Sequence, residues 1–191
     1  GGLILARDNP ELIKKLNSAV FPGIQGGPLL HVIAAKALAF KEALQPEFKH
    51  YQAQVLENAR TMATVYNRRG YHVIGSGTDN HMFLVDLSKA KLTGKLAEDT
   101  FAAANLTINK NSVPHDTLSP TITSGIRIGT PAVTTRGLGA DDCENIAHWM
   151  CDILDDIDNG DLVAAVNSKV QTLCQNFPIY RDEHQTAPTT L

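Results

Sequence analysis

The chain has 191 residues, 43% of them apolar, and its 17 Lys and Arg against 20 Asp and Glu leave a net charge of −3. That length holds one full domain, or one and a piece of another. The scattered basic residues exclude a nucleic-acid footprint, and no apolar run approaches the ~20 residues that cross a bilayer.

The chain opens on Gly1-Gly2 without a methionine and runs straight into Leu3–Ala6, which reads as a short, wholly apolar strand of a buried parallel sheet. A strand so close to the start needs neighbours, so an N-terminal portion is expected to be missing. Asn9-Pro10-Glu11 supplies an N-cap, a proline at the first helical position and an acid in the first turn, predicting a helix to about Ser18. Gly26-Gly27-Pro28 precedes a long, nearly all-apolar helix from Leu29 to Phe40. Glycines before a helix N-terminus can receive an anion on unpaired backbone N–H groups, or form an ordinary turn. Pro46 breaks that helix and starts another. Phe48, Tyr51, Val55, Ala59, Met62 and Tyr66 recur at helical spacing up to about Gly70. The domain boundary is expected near residue 45, with residues 46–180 as a small domain and 181–191 as a loose tail.

From Tyr71 the pattern changes to strands and short helices. Strands are expected over Tyr71–Ile74, His81–Leu87 and Leu106–Asn109, with a Thr93-capped helix over Gly94–Ala104 and a polar loop over Asn111–Thr121. Asp141-x-x-Glu144 resembles a capping box. The helix behind it buries Ile146, Trp149, Met150, Ile153, Leu154 and Ile157, and ends at Asn159-Gly160. Leu162, Val166, Val170, Leu173 and Phe177 mark a last helix. The sum is an α/β sandwich with helices on one face, preceded by the end of a larger parallel α/β domain.

Chemistry concentrates in the strand Thr121–Ala132. Ile122, Ser124, Ile126 and Ile128 alternate onto one side and Thr123, Gly125, Arg127 and Gly129 onto the other. Arg127 between two glycines has open floor for a ligand, and a guanidinium suits a carboxylate. The alternative is a strand arginine in a structural ion pair. None of the seven histidines has metal-ligand spacing, and His115-Asp116 reads as a turn rather than a dyad. Cys143, Cys151 and Cys174 read as buried thiols of a reducing compartment, which predicts the cytoplasm.

Taken together, Lys14–Gly23, Gln25-Gly26-Gly27-Pro28, His31–Ala34, Gly77-Thr78-Asp79-Asn80-His81, Asn109–Pro114 and Ser124–Ala132 resemble serine hydroxymethyltransferase from Gly1 to about Tyr180. The resemblance implies a pyridoxal-phosphate (PLP) enzyme of fold type I, like aspartate aminotransferase. Residues 1–45 would end its large domain and 46–180 form its small C-terminal α/β domain. It implies interconversion of L-serine plus tetrahydrofolate with glycine plus 5,10-methylenetetrahydrofolate. Arg127 would bind the substrate carboxylate. Asn111, Ser119, Pro120 and Thr121 would meet the pterin of tetrahydrofolate. Gly26 and Gly27 would reach the PLP phosphate of a partner subunit, so a homodimer, or a dimer of dimers, is implied. Thr121 stands where a phenylalanine is familiar in bacterial relatives, and His115 where an asparagine is familiar in the family. The lysine that anchors PLP would precede Gly1, so the chain alone is expected to be inactive. A non-catalytic dimerisation module of the same fold, or a threonine-aldolase-like PLP enzyme, are the other readings; the folate loop argues against the aldolase.

Overall fold

The computed structural model describes residues 1–179. The expected tail, 181–191, lies outside the described residues. The chain divides into two compact units: Gly1–Lys49, and a second beginning at His50.

In the first unit, helix α1 (Pro10–Ser18) begins as expected, with the Asn9 side chain accepting from the Leu12 N–H at 3.1 Å. A π-helical turn follows over Ala19–Ile24, and helix α2 covers Leu30–Ala43. The predicted strand Leu3–Ala6 is not a strand. Among the described residues it pairs with no other strand, and Leu3 and Leu5 are exposed. Apolar character alone cannot make a strand; the ladder needs a partner. Helix α2 is apolar on every side, and Leu30, Leu38 and Phe40 are at least half exposed. A helix of that composition is built to be covered.

Helix α3 (Pro46–Arg68) crosses the division, which falls inside its first turn. The second unit then forms a four-stranded, wholly antiparallel sheet in the order β1-β2-β4-β3, from β1 (His72–Val73), β2 (Met82–Asp86), β3 (Asn109–Asn111) and β4 (Gly125–Gly129). One face carries Phe83, Val85, Ile126 and Ile128. It packs into a single core with Met62 and Tyr66 of α3, Phe101 of α4 (Gly94–Ala103), Met150 and Ile153 of α6 (Ala140–Asp155), and Val166 of α7 (Gly160–Asn176). The opposite face, with Met82, Leu84, Arg127 and Gly129, carries no helix of this core.

Several elements differ from the sequence reading. Strand β3 begins at Asn109 rather than Leu106, because Leu106 and Ile108 are spent on the core before the chain reaches the ladder. Strand β4 is five residues long. Upstream of it Thr123 takes φ +59°, its hydroxyl donates to the Gly125 carbonyl at 3.1 Å, and the alternation stops there. A short helix α5 (Pro131–Arg136), absent from the sequence reading, follows β4 and closes on Gly137 at φ +105°. Helix α6 is capped two residues earlier than predicted: Gly139 is the N-cap, and its N–H donates to the Asp142 carboxylate at 3.1 Å. Asn159 opens α7, accepting from the Leu162 N–H at 3.0 Å. Trp149 and Ile157 pack against the core only partly buried.

Polar ties fix β4 and α5 to α3. The Thr130 hydroxyl donates to the Val55 carbonyl at 2.8 Å. The fully buried Asn58 amide donates to the Thr134 hydroxyl at 2.9 Å and the Leu138 carbonyl at 3.0 Å, while its oxygen accepts from Gln54 at 2.8 Å. These ties hold the segment that leaves the sheet directly after β4, the strand that carries Arg127.

Candidate functional site

On the uncovered face of the sheet lies a cleft of about 600 Å³. Arg127, Leu84 and Met82 are on its floor, Asn111 stands on the β3 side, and Ile74, Gly75 and Gly77 to Asn80 form the opposite wall. Period-two geometry explains the floor: Ile126 and Ile128 turn to the core, so Arg127 must turn outward. The register sets Arg127 opposite Leu84 on β2 and Asn109 on β3.

The Arg127 guanidinium is exposed and donates to the Asn109 side-chain oxygen at 3.4 Å, a long bond. Among the described residues no carboxylate forms an ion pair with it, so the structural ion-pair alternative fails here. Its two flanking glycines differ. A Cβ on Gly129 would meet only ordinary contacts, from 3.6 Å outward. A Cβ on Gly125 would come within 2.5 Å of Val113 Cγ1 and 2.7 Å of the Val85 carbonyl oxygen. The expected open floor on both sides is therefore present only at Gly129; Gly125 is there for close packing.

The turn from Gly77 to His81 is ordered by its own side chains. The Thr78 hydroxyl donates to the Met82 carbonyl at 2.5 Å and accepts from the Asn80 N–H at 3.2 Å, and the Asn80 oxygen accepts from the Met82 N–H at 3.0 Å. Thr78, Asp79 and Asn80 line the cleft, a role the sequence reading did not give them. The signal was present in a polar Gly-Thr-Asp-Asn turn leading into the strand beside Arg127.

Asn111 joins Arg127 at the cleft, its amide donating to the Ser112 carbonyl at 2.8 Å. Ser119, Pro120 and Thr121 are exposed and do not line it. The Ser119 and Thr121 hydroxyls pair with each other at 2.9 Å, and the Ser119 carbonyl accepts from the Ile122 and Thr123 N–H groups. Within this loop Asp116 collects donors. Its Oδ2 accepts from the N–H groups of Val113 at 3.2 Å and Ser124 at 2.8 Å; its Oδ1 accepts from the Leu118 N–H at 2.9 Å and the Ser124 hydroxyl at 2.7 Å. Hydrogen bonds from the Leu118 N–H, and then from Ser124, pull its carboxyl down to about 2. This is the turn the sequence predicted at His115-Asp116, with His115 at φ +62°. Lys110 is committed elsewhere: its ammonium meets Glu98 at 2.8 Å and holds that carboxyl below the usual range.

In the first unit Gly26 and Gly27 are exposed with open space around them, and α2 begins without a side-chain cap. Backbone N–H groups of that kind suit a phosphate.

Among its described residues the second unit is thus an α/β arrangement with helices on one sheet face, and on the other a guanidinium without an ion-pair partner in a polar-walled cleft that suits a carboxylate. The family model for serine hydroxymethyltransferase matches residues 5–150, and the chain belongs to that family. It is 59% identical over 180 residues to the serine hydroxymethyltransferase of Dichelobacter nodosus, and equally to that of Methylococcus capsulatus. The enzyme of Coxiella burnetii is 58% identical over 181 residues. The matches to the first two cover 94% of this chain and 43% of each relative, so the chain spans less than half the length of the curated relatives it matches.

Proposed function

We propose that this chain supplies the substrate-carboxylate clamp and part of the folate wall of a PLP-dependent glycine hydroxymethyltransferase. The whole enzyme interconverts L-serine plus tetrahydrofolate with glycine plus 5,10-methylenetetrahydrofolate. The observation that carries this reading is Arg127: a guanidinium without a carboxylate partner among the described residues, on the floor of a cleft, in a chain of this family. Arg127 grips the α-carboxylate through two parallel hydrogen bonds and orients the amino acid. Asn111 and the Ser119-Pro120-Thr121 segment meet the pterin. PLP, when bound, supplies the electron sink for bond changes at the amino acid's α-carbon. Gly26 and Gly27, ahead of the uncapped α2, offer the backbone donors that its phosphate requires, toward the site of a partner subunit in a homodimer. The PLP-anchoring lysine has no counterpart among these residues, so the 191-residue chain alone turns over no substrate. Free, buried Cys143 and Cys151 fit a cytoplasmic enzyme. Among the described residues no helix is long and apolar enough to cross a membrane.

The test joins the chain to the preceding portion of the Dichelobacter nodosus relative and measures glycine formed from serine and tetrahydrofolate. Turnover is expected from the joined protein and none from the chain alone. Arg127→Ala should raise the serine KM by roughly two to three decades, the loss of a charge-assisted bidentate pair. Turnover by the isolated chain, or an unchanged serine KM in Arg127→Ala, overturns the proposal.

A further inference from the structure

The loop between β3 and β4 bears the proposed folate contacts yet has little core of its own. Of residues 112–122 only Val113 is buried. Its order must come from polar ties, and four of them converge on one side chain. Asp116 accepts four hydrogen bonds from three residues: Val113, Leu118 and Ser124. Val113 lies two residues after Asn111, and Leu118 directly precedes Ser119. Ser124 directly precedes β4. One carboxylate therefore fixes the chain beside both proposed folate contacts and docks it to the strand that carries Arg127.

We propose that Asp116 is a positioning residue for the folate wall, holding Asn111 and Ser119–Thr121 in register against the Arg127 strand. This rests on the reading that those residues meet the pterin. Only a carboxylate fits the role, since it accepts at both oxygens and donates from neither. An amide would turn an NH₂ group toward one pair of these donors. The depressed carboxyl pKa agrees with a group kept ionised by those donors.

The consequence is selective. Arg127 is held independently, because β4 pairs with β2 at five positions from Met82↔Gly129 to Asp86↔Gly125. Loosening the loop should leave the amino-acid clamp standing. The Ser119–Thr123 end keeps two further hydrogen bonds, from the Gly94 and Lys95 N–H groups to the Thr123 and Ile122 carbonyls, each at 2.9 Å, so the loop loosens rather than detaches.

The experiment uses the joined enzyme and compares Asp116→Ala, Asp116→Asn and Ser124→Ala. For both Asp116 variants the tetrahydrofolate KM should rise on the order of tenfold, with the serine KM within about twofold of the parent, as expected for a misplaced wall. Ser124→Ala removes one of the four bonds and should show the same split at about two- to threefold. A purely structural role would lower the active fraction and raise neither KM selectively. Unchanged folate KM in all three variants, or equal rises in both KM values, overturns the proposal. Asn111→Ala separates the layers. If it raises the folate KM while the Asp116 variants do not, only the positioning role fails. If neither does, the underlying folate reading fails too.

Discussion

The two glycines beside Arg127 make a matched pair for a steric test. Gly125→Ala and Gly129→Ala add the same methyl group two residues apart on one face of one strand. Neither glycine has a left-handed φ, so both variants gain about 0.4–1 kcal/mol from a less flexible unfolded chain. At Gly129 the added carbon meets nothing closer than 3.6 Å, and that gain stands. At Gly125 it meets Val113 Cγ1 at 2.5 Å, the Val85 carbonyl oxygen at 2.7 Å and the Asn111 carbonyl oxygen at 3.0 Å. Two of these three are backbone atoms on the strands either side, and they move only by opening the ladder. The overpacking cost therefore sits near the top of the usual range, about 3 kcal/mol, for a net loss of about 2 kcal/mol. The shared gain cancels, so the two variants should differ by the overpacking cost alone, about 3 kcal/mol. In urea, with a slope near 2 kcal/mol per molar, that separates their midpoints by roughly 1.5 M. Fluorescence of Trp149, the single tryptophan, which packs against the core, reports the transition. Midpoints within about 0.3 M of each other would refute the steric assignment of Gly125.

Asn58→Ala removes three hydrogen bonds from a fully buried site and strands the Leu138 carbonyl, at a cost of about 3 kcal/mol. Thermal unfolding should fall by roughly 6–12 °C; a drop under about 3 °C would show that water replaces the amide. Stability should also decline in acid partly through Asp116. Its folded pKa, about 2, lies below the unfolded value, so its contribution is complete above about pH 4 and fades as pH falls toward 2. Asp116→Asn should flatten the stability curve between those pH values, and an unaltered slope would show that the Asp116 hydrogen bonds do not persist in solution.

Much of the helical framework was legible because its signals are local. Asn9, Thr93 and Pro46 mark helix starts through hydrogen bonds or ring geometry that the sequence states outright. Alternation placed Arg127 opposite the buried isoleucines. What misled was pairing and proximity. Leu3–Ala6 has the composition of a strand, but no neighbour among the described residues gives it a ladder. Gly125 looked like empty space, since a sequence cannot reveal that Val113 folds back over it from the β3–β4 loop. Asp116 was recognised as a turn residue, yet its reach to Ser124 depends on a loop closure invisible in residue order. Thr78, Asp79 and Asn80 became part of the cleft only once β2 lay beside β4.

The exposure of Arg127 bears on how the site must operate. An ion pair between exposed groups is worth about 0–1 kcal/mol, because water competes for both partners and salt screens them. A clamp that determines serine affinity needs several times that. The same pair strengthens as water is excluded and the local dielectric falls. The sheet supplies a floor and two low walls, and Leu84 and Met82 make part of that floor apolar, but among the described residues nothing of the second unit roofs the guanidinium. If Arg127 is the carboxylate clamp proposed above, it gains most of its grip only when other groups close over the bound amino acid, whether protein or the pterin ring itself. Serine should then bind more tightly when tetrahydrofolate is already present, and tetrahydrofolate more tightly when serine is, by the same factor, since such coupling is reciprocal. Equilibrium titration of the joined enzyme with each ligand, in the presence and absence of the other, reads that factor directly; independent binding would mean that the arginine is already sheltered before either ligand arrives.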